Sequence, residues 1–304
     1  MIFKCQICGE EFETSKAINT HISRGEKVRL VDYYHKYHPR KDKFTNELIR
    51  YKSYDFYFNN DFNSRSNFLQ WFVKNLKHSK MKDYCYSQLE KRIKDKSPTH
   101  AFSHVELCSL MIPNIVGFEA IDSIKGYQKF CEEKGLINKF IYEKKKVRNS
   151  NKPIEIIIDT REQNPLSLDV PTVCTKLEFG DYALKDSELA IERKSLSDFI
   201  GTLSGGLERF EKEIQRSGYL VIMIEDKLNK ALNYSPPSWI KAQRANGSYI
   251  FHKLRYLNQK YDNIQFIFSE GREQSSYLCK KILRMSPKKV KTIDLQWAYD
   301  SHLL

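Results

Sequence analysis

The 304-residue chain contains no run of 18 apolar residues, which excludes a membrane-spanning helix. Its opening residues, Met1 to Glu10, lack a basic segment followed by an apolar one, so no secretory signal is expected. No internal repeat is visible. Low-complexity sequence is confined to Glu143-Lys144-Lys145-Lys146-Val147-Arg148 and the Asn-Ser-Asn-Lys-Pro that follows. The seven cysteines are odd in number, and Cys85, Cys108, Cys131 and Cys174 stand apart from one another. A disulfide framework is therefore not expected, and a reducing, cytosolic setting is. The chain is 40% apolar and 29% charged, too hydrophobic to be disordered. At about 150 residues per domain its length fits roughly two domains.

Charge is divided unevenly. The formal net charge is +13. Residues 1–152 hold 29 Lys and Arg against 18 Asp and Glu, whereas residues 153–304 hold 22 against 20. A basic half beside a balanced half fits a chain that grips a polyanion with one part and acts with another. Charge alone fits a merely solvated basic surface equally well.

The lysine-rich stretch reads as a linker over 143–153. Before it the periodicity is helical: Phe68, Leu69, Phe72, Val73 and Leu76 lay one apolar stripe on a helix. After it come short β-branched runs at Ile154 to Asp159, Tyr219 to Glu225 and Ile264 to Phe268. Helical patterns at Leu207 to Arg216 and Tyr249 to Lys260 lie between them. Strands alternating with helices predict an α/β domain with a largely buried sheet. Four parts result: a small module at 1–42, a helical, basic region at 43–143, an α/β domain at 153–286 and a tail at 287–304.

Cys5-Gln-Ile-Cys8 is followed by twelve residues and then His21, with Phe12 and Ile18 between. This is three quarters of a C2H2-type zinc finger, a knuckle followed by a helix that carries a histidine. A module this small cannot bury enough apolar surface without its metal. A second histidine three to five residues on is missing; Gly25, Glu26 and Lys27 stand there instead. If residues 28–38 are helical, Leu30, Val31, Tyr34 and His38 share a face. His38 is therefore the preferred fourth ligand, with His35 and Glu26 as alternatives. Such a module can bind DNA, bind protein or only brace the fold. His100, His104 and Cys108, each one turn apart, are read as ordinary helix residues rather than a metal row.

Four acidic segments mark the α/β part: Asp159-Thr160-Arg161-Glu162 at a strand end, Gly180-Asp181, Glu192-Arg193-Lys194 with Asp198 beyond, and Gly205 to Glu213. Along a strand Glu192 and Lys194 point to one face and Arg193 to the other. Gly180 allows a tight turn before Asp181. Asp159, Asp181 and Glu192 converging on one point would repel one another unless a cation neutralised them. Oxygen ligands in an incomplete cage suit Mg²⁺ or Mn²⁺. A lysine beside such an ion can steady a developing oxyanion or orient water. Each piece alone is ordinary: a Glu-Arg-Lys run is commonly solvated, a Gly-Asp a turn. Order and spacing together point to metal-dependent phosphodiester hydrolysis.

Residues 154–285 resemble the XPF-type nuclease family, whose hallmark is a Gly-Asp segment followed by Glu-Arg-Lys-x-x-x-Asp. Here these are Gly180-Asp181 and Glu192-Arg193-Lys194 with Asp198. The resemblance implies a restriction-endonuclease-like α/β fold and a Mg²⁺- or Mn²⁺-dependent DNA endonuclease. It implies Asp159, Asp181 and Glu192 as metal ligands and Lys194 as the catalytic lysine. Glu162 and Asp198 would be auxiliary, with Asp198 alternatively a helix cap. Arg193 would support structure or phosphate contacts. Arg209 follows the Gly205-Gly206 pair, where the family usually has Gly-Arg. Many members end in tandem helix-hairpin-helix motifs and pair with a homologous subunit. The 18 residues after position 286 are too few for such motifs. DNA capture is therefore expected from the basic N-terminal half, through phosphate contacts. Monomer and homodimer both remain open. A zinc finger ahead of such a nuclease is expected of a virus or mobile-element enzyme acting in a host cytoplasm. The expected activity is nicking of one strand of duplex DNA. The alternatives are cleavage of flaps or branches, and DNA binding with an inactive nuclease domain.

Overall fold

The computed structural model describes residues 2–42, 48–59, 78–96, 98–110, 127–142, 145–147, 153–236 and 245–304. The chain divides into two compact units, Met1–Leu76 and Lys77–Leu304.

In the first unit β1 (Phe3–Lys4) pairs antiparallel with β2 (Glu11–Phe12), Phe3 opposite Phe12. The Thr14 hydroxyl accepts from the Ala17 amide and caps α1 (Ser15–Thr20), which runs on into a π turn over His21–Gly25. Then come α2 (Leu30–Tyr37) and α3 (Tyr54–Asn59). Elements this short bury little apolar area, and aromatic rings supply it. Ile18, Ile22, Tyr33, Tyr34, Tyr51 and Tyr57 form the buried core. The Tyr34 and Tyr51 rings stack with centroids 3.8 Å apart. Asn19 ties the two together: its amide donates to the Tyr51 hydroxyl at 2.7 Å, and its oxygen accepts from the Tyr34 hydroxyl at 2.8 Å. The unit therefore runs past the boundary at 42 read from the sequence, because its core needs Tyr51 and Tyr57. The Phe68 to Leu76 stripe lies outside the described residues.

In the second unit α4 (His78–Lys96) and α5 (His104–Ser109) come first. The strands are β3 (Ile156–Ile158), β4 (Thr172–Cys174), β5 (Tyr182–Leu184) and β6 (Leu189–Lys194), then β7 (Tyr219–Ile224) and β8 (Ile264–Phe268). They form one mixed sheet in the order β4-β3-β5-β6-β7-β8. The β6–β7–β8 side is parallel, and β5 runs antiparallel to both of its neighbours. Between β6 and β7 lie α6 (Leu196–Gly205) and α7 (Leu207–Arg216); α8 (Leu228–Leu232) and α9 (Gly247–Lys260) precede β8.

All of β7 is buried, and its side chains alternate between two apolar layers. Tyr219, Val221 and Met223 join the layer that also holds Cys85, Leu89, Phe102 and Leu107. Leu220, Ile222 and Ile224 join Phe199, Phe210, Leu254 and Leu257 from the helices of the other face. Residues 78–142, as far as described, thus share the core of the α/β unit. Two independent faces explain why β7 and β8 read as unbroken apolar runs. The lysine-rich stretch read as a linker lies mostly outside the described residues. No described helix is long and apolar enough to cross a membrane.

The segment read as a tail is structured. α10 (Arg272–Leu283), α11 (Pro287–Thr292) and α12 (Leu295–Asp300) follow β8, and Val290, Leu295, Trp297 and Ala298 are buried. β8 is an edge strand, and side chains cover its exposed polar groups. The Phe268 amide donates to Gln296 Oε1 at 2.7 Å, and Gln265 Nε2 donates to the Val290 carbonyl at 2.7 Å. α12 also holds α5: Asp294 accepts from the His104 amide at 2.7 Å, and His104 Nε2 pairs with Asp300 at 2.8 Å. His100 Nε2 lies 3.4 Å from Asp262. Short amphipathic segments with mixed polarity gave no strong periodicity, which is why residues 287–304 read as a tail.

Trp297→Ala removes a fully buried side chain from this layer. The expected effect is a loss of about 3–5 kcal/mol, read as a lower denaturant midpoint of the second unit. An unchanged midpoint would mean that the C-terminal helices do not belong to the core.

Candidate active site

The register of three strands sets the site. Ile158 stands opposite Tyr182, and Tyr182 opposite Ile191. One residue beyond these pairs stand Asp159 and Asp181, just outside their strands, and Glu192 within β6. The Asp159 amide donates to the Asp181 carbonyl at 2.9 Å, and the Asp181 amide to the Ile191 carbonyl at 2.8 Å. The Glu192 and Lys194 charges both act on the Asp181 carboxyl, which places the three groups together. Lys194 Nζ donates to Glu192 Oε1 at 2.7 Å and lies 5.9 Å from the Phe210 ring centre.

Gly180 is required by this approach. Its φ is +74°, and a Cβ there would lie 2.8 Å from Ala190 Cβ and 3.2 Å from the Ile191 carbonyl. A side chain would push the Asp181 strand end off β6.

The electrostatics follow from the crowding. Burial, then the neighbouring Glu192 charge, push the Asp181 carboxyl up to about 7. Its Oδ2 accepts from the Arg193 amide at 2.8 Å, which opposes the shift. Asp159 goes the other way. The Arg161 guanidinium holds it down at about 2, donating from Nε at 2.6 Å and from Nη2 at 3.1 Å. The Leu177 amide adds a bond to Asp159 Oδ2 at 2.6 Å. Asp159 follows β3, but its oxygens are already engaged. The three carboxylates consequently do not close into one tight cluster, because Arg161 neutralises the first of them. Arg161 is itself affected by the charges of Glu192 and Asp181, and its side chain is largely exposed.

The ERCC4 domain model matches residues 158–282 of the chain. Residues 158–282 are an ERCC4 domain. This is the nuclease domain of XPF-type DNA endonucleases, and its mixed, helix-flanked sheet is the restriction-endonuclease-like α/β fold. Among curated proteins none matches significantly. One similar solved structure is XPF from Aeropyrum pernix in complex with DNA, 22% identical over 44% of this chain and 66% of that one, with a TM-score of 0.36. Another structure of XPF from Aeropyrum pernix is 20% identical over 43% and 66% of the two chains, with a TM-score of 0.34. The chain thus spans just under two thirds of the length of these relatives.

Within the ERCC4 domain the remaining sequence candidates take different places. Arg193 points to the opposite face, as strand alternation requires. It pairs with Glu162 at 3.1 Å and Glu225 at 2.9 Å, and donates to the Asn164 carbonyl at 2.9 Å. It clamps the turn after Asp159 to the end of β7, beneath the acidic row. Asp198 lies in the first turn of α6, where the Ser195 hydroxyl donates to it at 2.7 Å and accepts from its amide at 3.1 Å. Ser195 is thus the N-cap, and the Asp198 carboxylate orients its hydroxyl. Arg209 is exposed on α7, and its charge acts on Glu213 one turn on.

Glu213 closes the fourth acidic segment but was given no role from the sequence. Burial, then the Glu192 charge, raise its carboxyl above the usual range, while Lys194, Arg209 and Arg161 oppose the shift. It stands beside the acidic row. Phe210 and Ile214 are the buried residues of α7, and Glu213 beside them is the spacing that would have revealed it.

The N-terminal candidates separate likewise. Among the described residues one group of ligand atoms gathers within 4.8 Å: Cys5, Cys8, His21 and Glu26. His38, the preferred fourth ligand, is elsewhere. It ends α2, where its ring packs against Tyr33, Tyr34 and Phe58. His35 Nε2 lies 2.9 Å from the Ile49 carbonyl.

The raised Asp181 carboxyl makes a prediction about stability. Between roughly pH 4, the ordinary carboxylate range, and about 7 the folded protein keeps a proton that the unfolded chain releases. Stability therefore falls as pH rises through that window. Without magnesium or manganese, Asp181→Asn is expected to raise the melting temperature at pH 8, by about 2–4 °C per kcal/mol recovered, and to have little effect at pH 4. A lower melting temperature at pH 8 would show that the Asp181 charge is compensated in the fold.

Proposed function

We propose that the chain is a divalent-metal-dependent DNA endonuclease. The observation that carries this reading is the Asp181 strand end held against β6 beside Glu192 and Lys194, in an ERCC4 domain. Two acids so close, one of them pushed up to about 7 by burial and by the other, form a seat for a cation. Hard oxygen donors fit Mg²⁺ or Mn²⁺. Asp181 and Glu192 would hold the ion, and Asp159 would complete the set by yielding Arg161. When bound, the ion supplies Lewis acidity and a water of lowered pKa.

The chain's own groups do the rest. Lys194 holds an ammonium beside Glu192, where it steadies charge developing on a phosphate oxygen. Arg161, largely exposed next to the row, draws the phosphate in. Arg193 positions the strand ends from below through Glu162 and Glu225. Asp198 contributes by fixing the start of α6. The surplus of 11 positive charges in residues 1–152 supplies sequence-independent, salt-sensitive grip on DNA. A zinc ion braces the N-terminal module through Cys5, Cys8 and His21. One such site cuts one strand per encounter, so we read the activity as nicking. Family membership supports flaps or branches as a second class of substrate. The free thiols keep the reading in a reducing compartment.

Supercoiled plasmid and a flap duplex, each with Mg²⁺, Mn²⁺ or chelator, test this. Wild type is expected to convert plasmid to open circle or to cut the flap, only with metal. Glu192→Gln should abolish cutting, and Lys194→Ala should slow it roughly 10²–10³-fold. Cutting that persists in both variants would place the active site elsewhere. DNA binding with no cutting of any substrate would mean an inactive nuclease domain.

A further inference from the structure

The N-terminal module breaks the histidine spacing of a C2H2 finger, and its backbone shows what replaces the missing ligand. Cys5 and Cys8 lie in the turn between β1 and β2. The Cys5 amide donates to the Glu10 carbonyl at 2.8 Å and the Gly9 amide to the Cys5 carbonyl at 2.9 Å, so both thiols are presented by one tight knuckle. Gly9 adopts φ +83°, the left-handed region that favours glycine. The Gln6 amide donates to the Tyr33 hydroxyl at 2.9 Å and pins the knuckle to α2.

His21 opens the π turn. The Glu26 amide donates to the His21 carbonyl at 3.0 Å, a step of five residues rather than four. In an α-helix the residue five positions on is rotated about 140° away. The wider π turn brings it back to the same side. The Glu26 carboxylate thereby reaches the place a second histidine would take. Gly25 belongs to the same device, since a Cβ there would lie 3.2 Å from His21 Nδ1.

The distances fit a single ion. His21 Nε2 is 3.2 Å from Cys8 Sγ and 3.2 Å from Glu26 Oε1. All four ligand atoms lie within 4.8 Å of one another. A tetrahedral ion with bonds of about 2.0–2.3 Å sets its ligands roughly 3.3–3.8 Å apart. The other ring nitrogen, His21 Nδ1, is 3.4 Å from Glu10 Oε2. A carboxylate in that place fixes the ring and leaves Nε2 free for the metal.

We propose that Cys5, Cys8, His21 and Glu26 are the four ligands of one zinc ion, with Glu10 orienting His21. This rests on the zinc reading of the module and assigns the ligand that the sequence left open. Two thiolates, an imidazole and a carboxylate leave the loaded site with a net negative charge, whereas two thiolates and two imidazoles would leave it neutral.

The test uses the full chain. Zinc is counted by elemental analysis, and affinity is read by competition with a chromophoric chelator. Wild type is expected to hold one ion. Glu26→Gln should weaken zinc at least about 10–100-fold. Glu26→His should retain it, because the π turn then presents a second imidazole, and this variant also controls for misfolding. His35→Ala and His38→Ala should bind as wild type does. With cobalt, Glu26→Gln should keep the thiolate charge-transfer band and shift the ligand-field bands. Unchanged affinity in Glu26→Gln together with loss in His38→Ala would overturn the assignment and leave a zinc site. No zinc in wild type would instead overturn the zinc reading itself.

Discussion

Asp181, just before β5, lies close to Glu192 on β6, and their mutual repulsion in a half-buried setting is what the rest of the domain has to hold in place. Left alone, such a pair would drive the β5 and β6 ends apart or keep a proton between them. The Asp181 carboxyl, pushed up to about 7, shows the second response. The fold prevents the first. Two apolar layers press on the sheet from both sides, and six ladder positions join β6 to β7. On the reverse face Arg193 ties Glu162 and Glu225 together at 3.1 and 2.9 Å, directly beneath the row. Losing one partner of such a clamp would strand a buried charge.

Countercharges are then distributed unequally along the row. Arg161 engages Asp159 and keeps it ionised, Lys194 engages one oxygen of Glu192, and among the described residues Asp181 accepts from the Arg193 amide and feels the Lys194 charge. The least compensated acid sits in the middle. In the proposed reading the centre of the row is where a divalent ion would gain most, with cationic groups on both flanks for a polyanion. Stability and chemistry pull in opposite directions at this point, which is the usual condition of a functional site.

Much of this was legible in the sequence, for identifiable reasons. β7 and β8 declared themselves as apolar runs because both of their faces are buried. Glu192 and Lys194 could be placed on one face, and Arg193 on the other, because strand alternation is strict. α7 was read with its bounds intact from its apolar spacing. What failed to show needs three dimensions. The engagement of Asp159 by Arg161 is a turn contact that no periodicity encodes. Glu213 reaches the row only through the packing of α7. Residues 287–304 carry polar side chains, Gln296 and Asp294, that make sense only against the edge of β8 and the start of α5. Glu26 stood among the alternatives, but only the π turn places it beside His21. In the N-terminal unit, Tyr51 and Tyr57 lie too far along the chain to look like part of a finger, yet they complete its core.

The most direct test is diffraction from crystals soaked in Mn²⁺, with anomalous data locating the ion. The expected result is a peak within bonding distance of both the Asp181 and Glu192 carboxylates. A peak on the Arg193 face between Glu162 and Glu225, or none near β5 and β6 in crystals that bind Mn²⁺ elsewhere, would contradict the central role given to that pair.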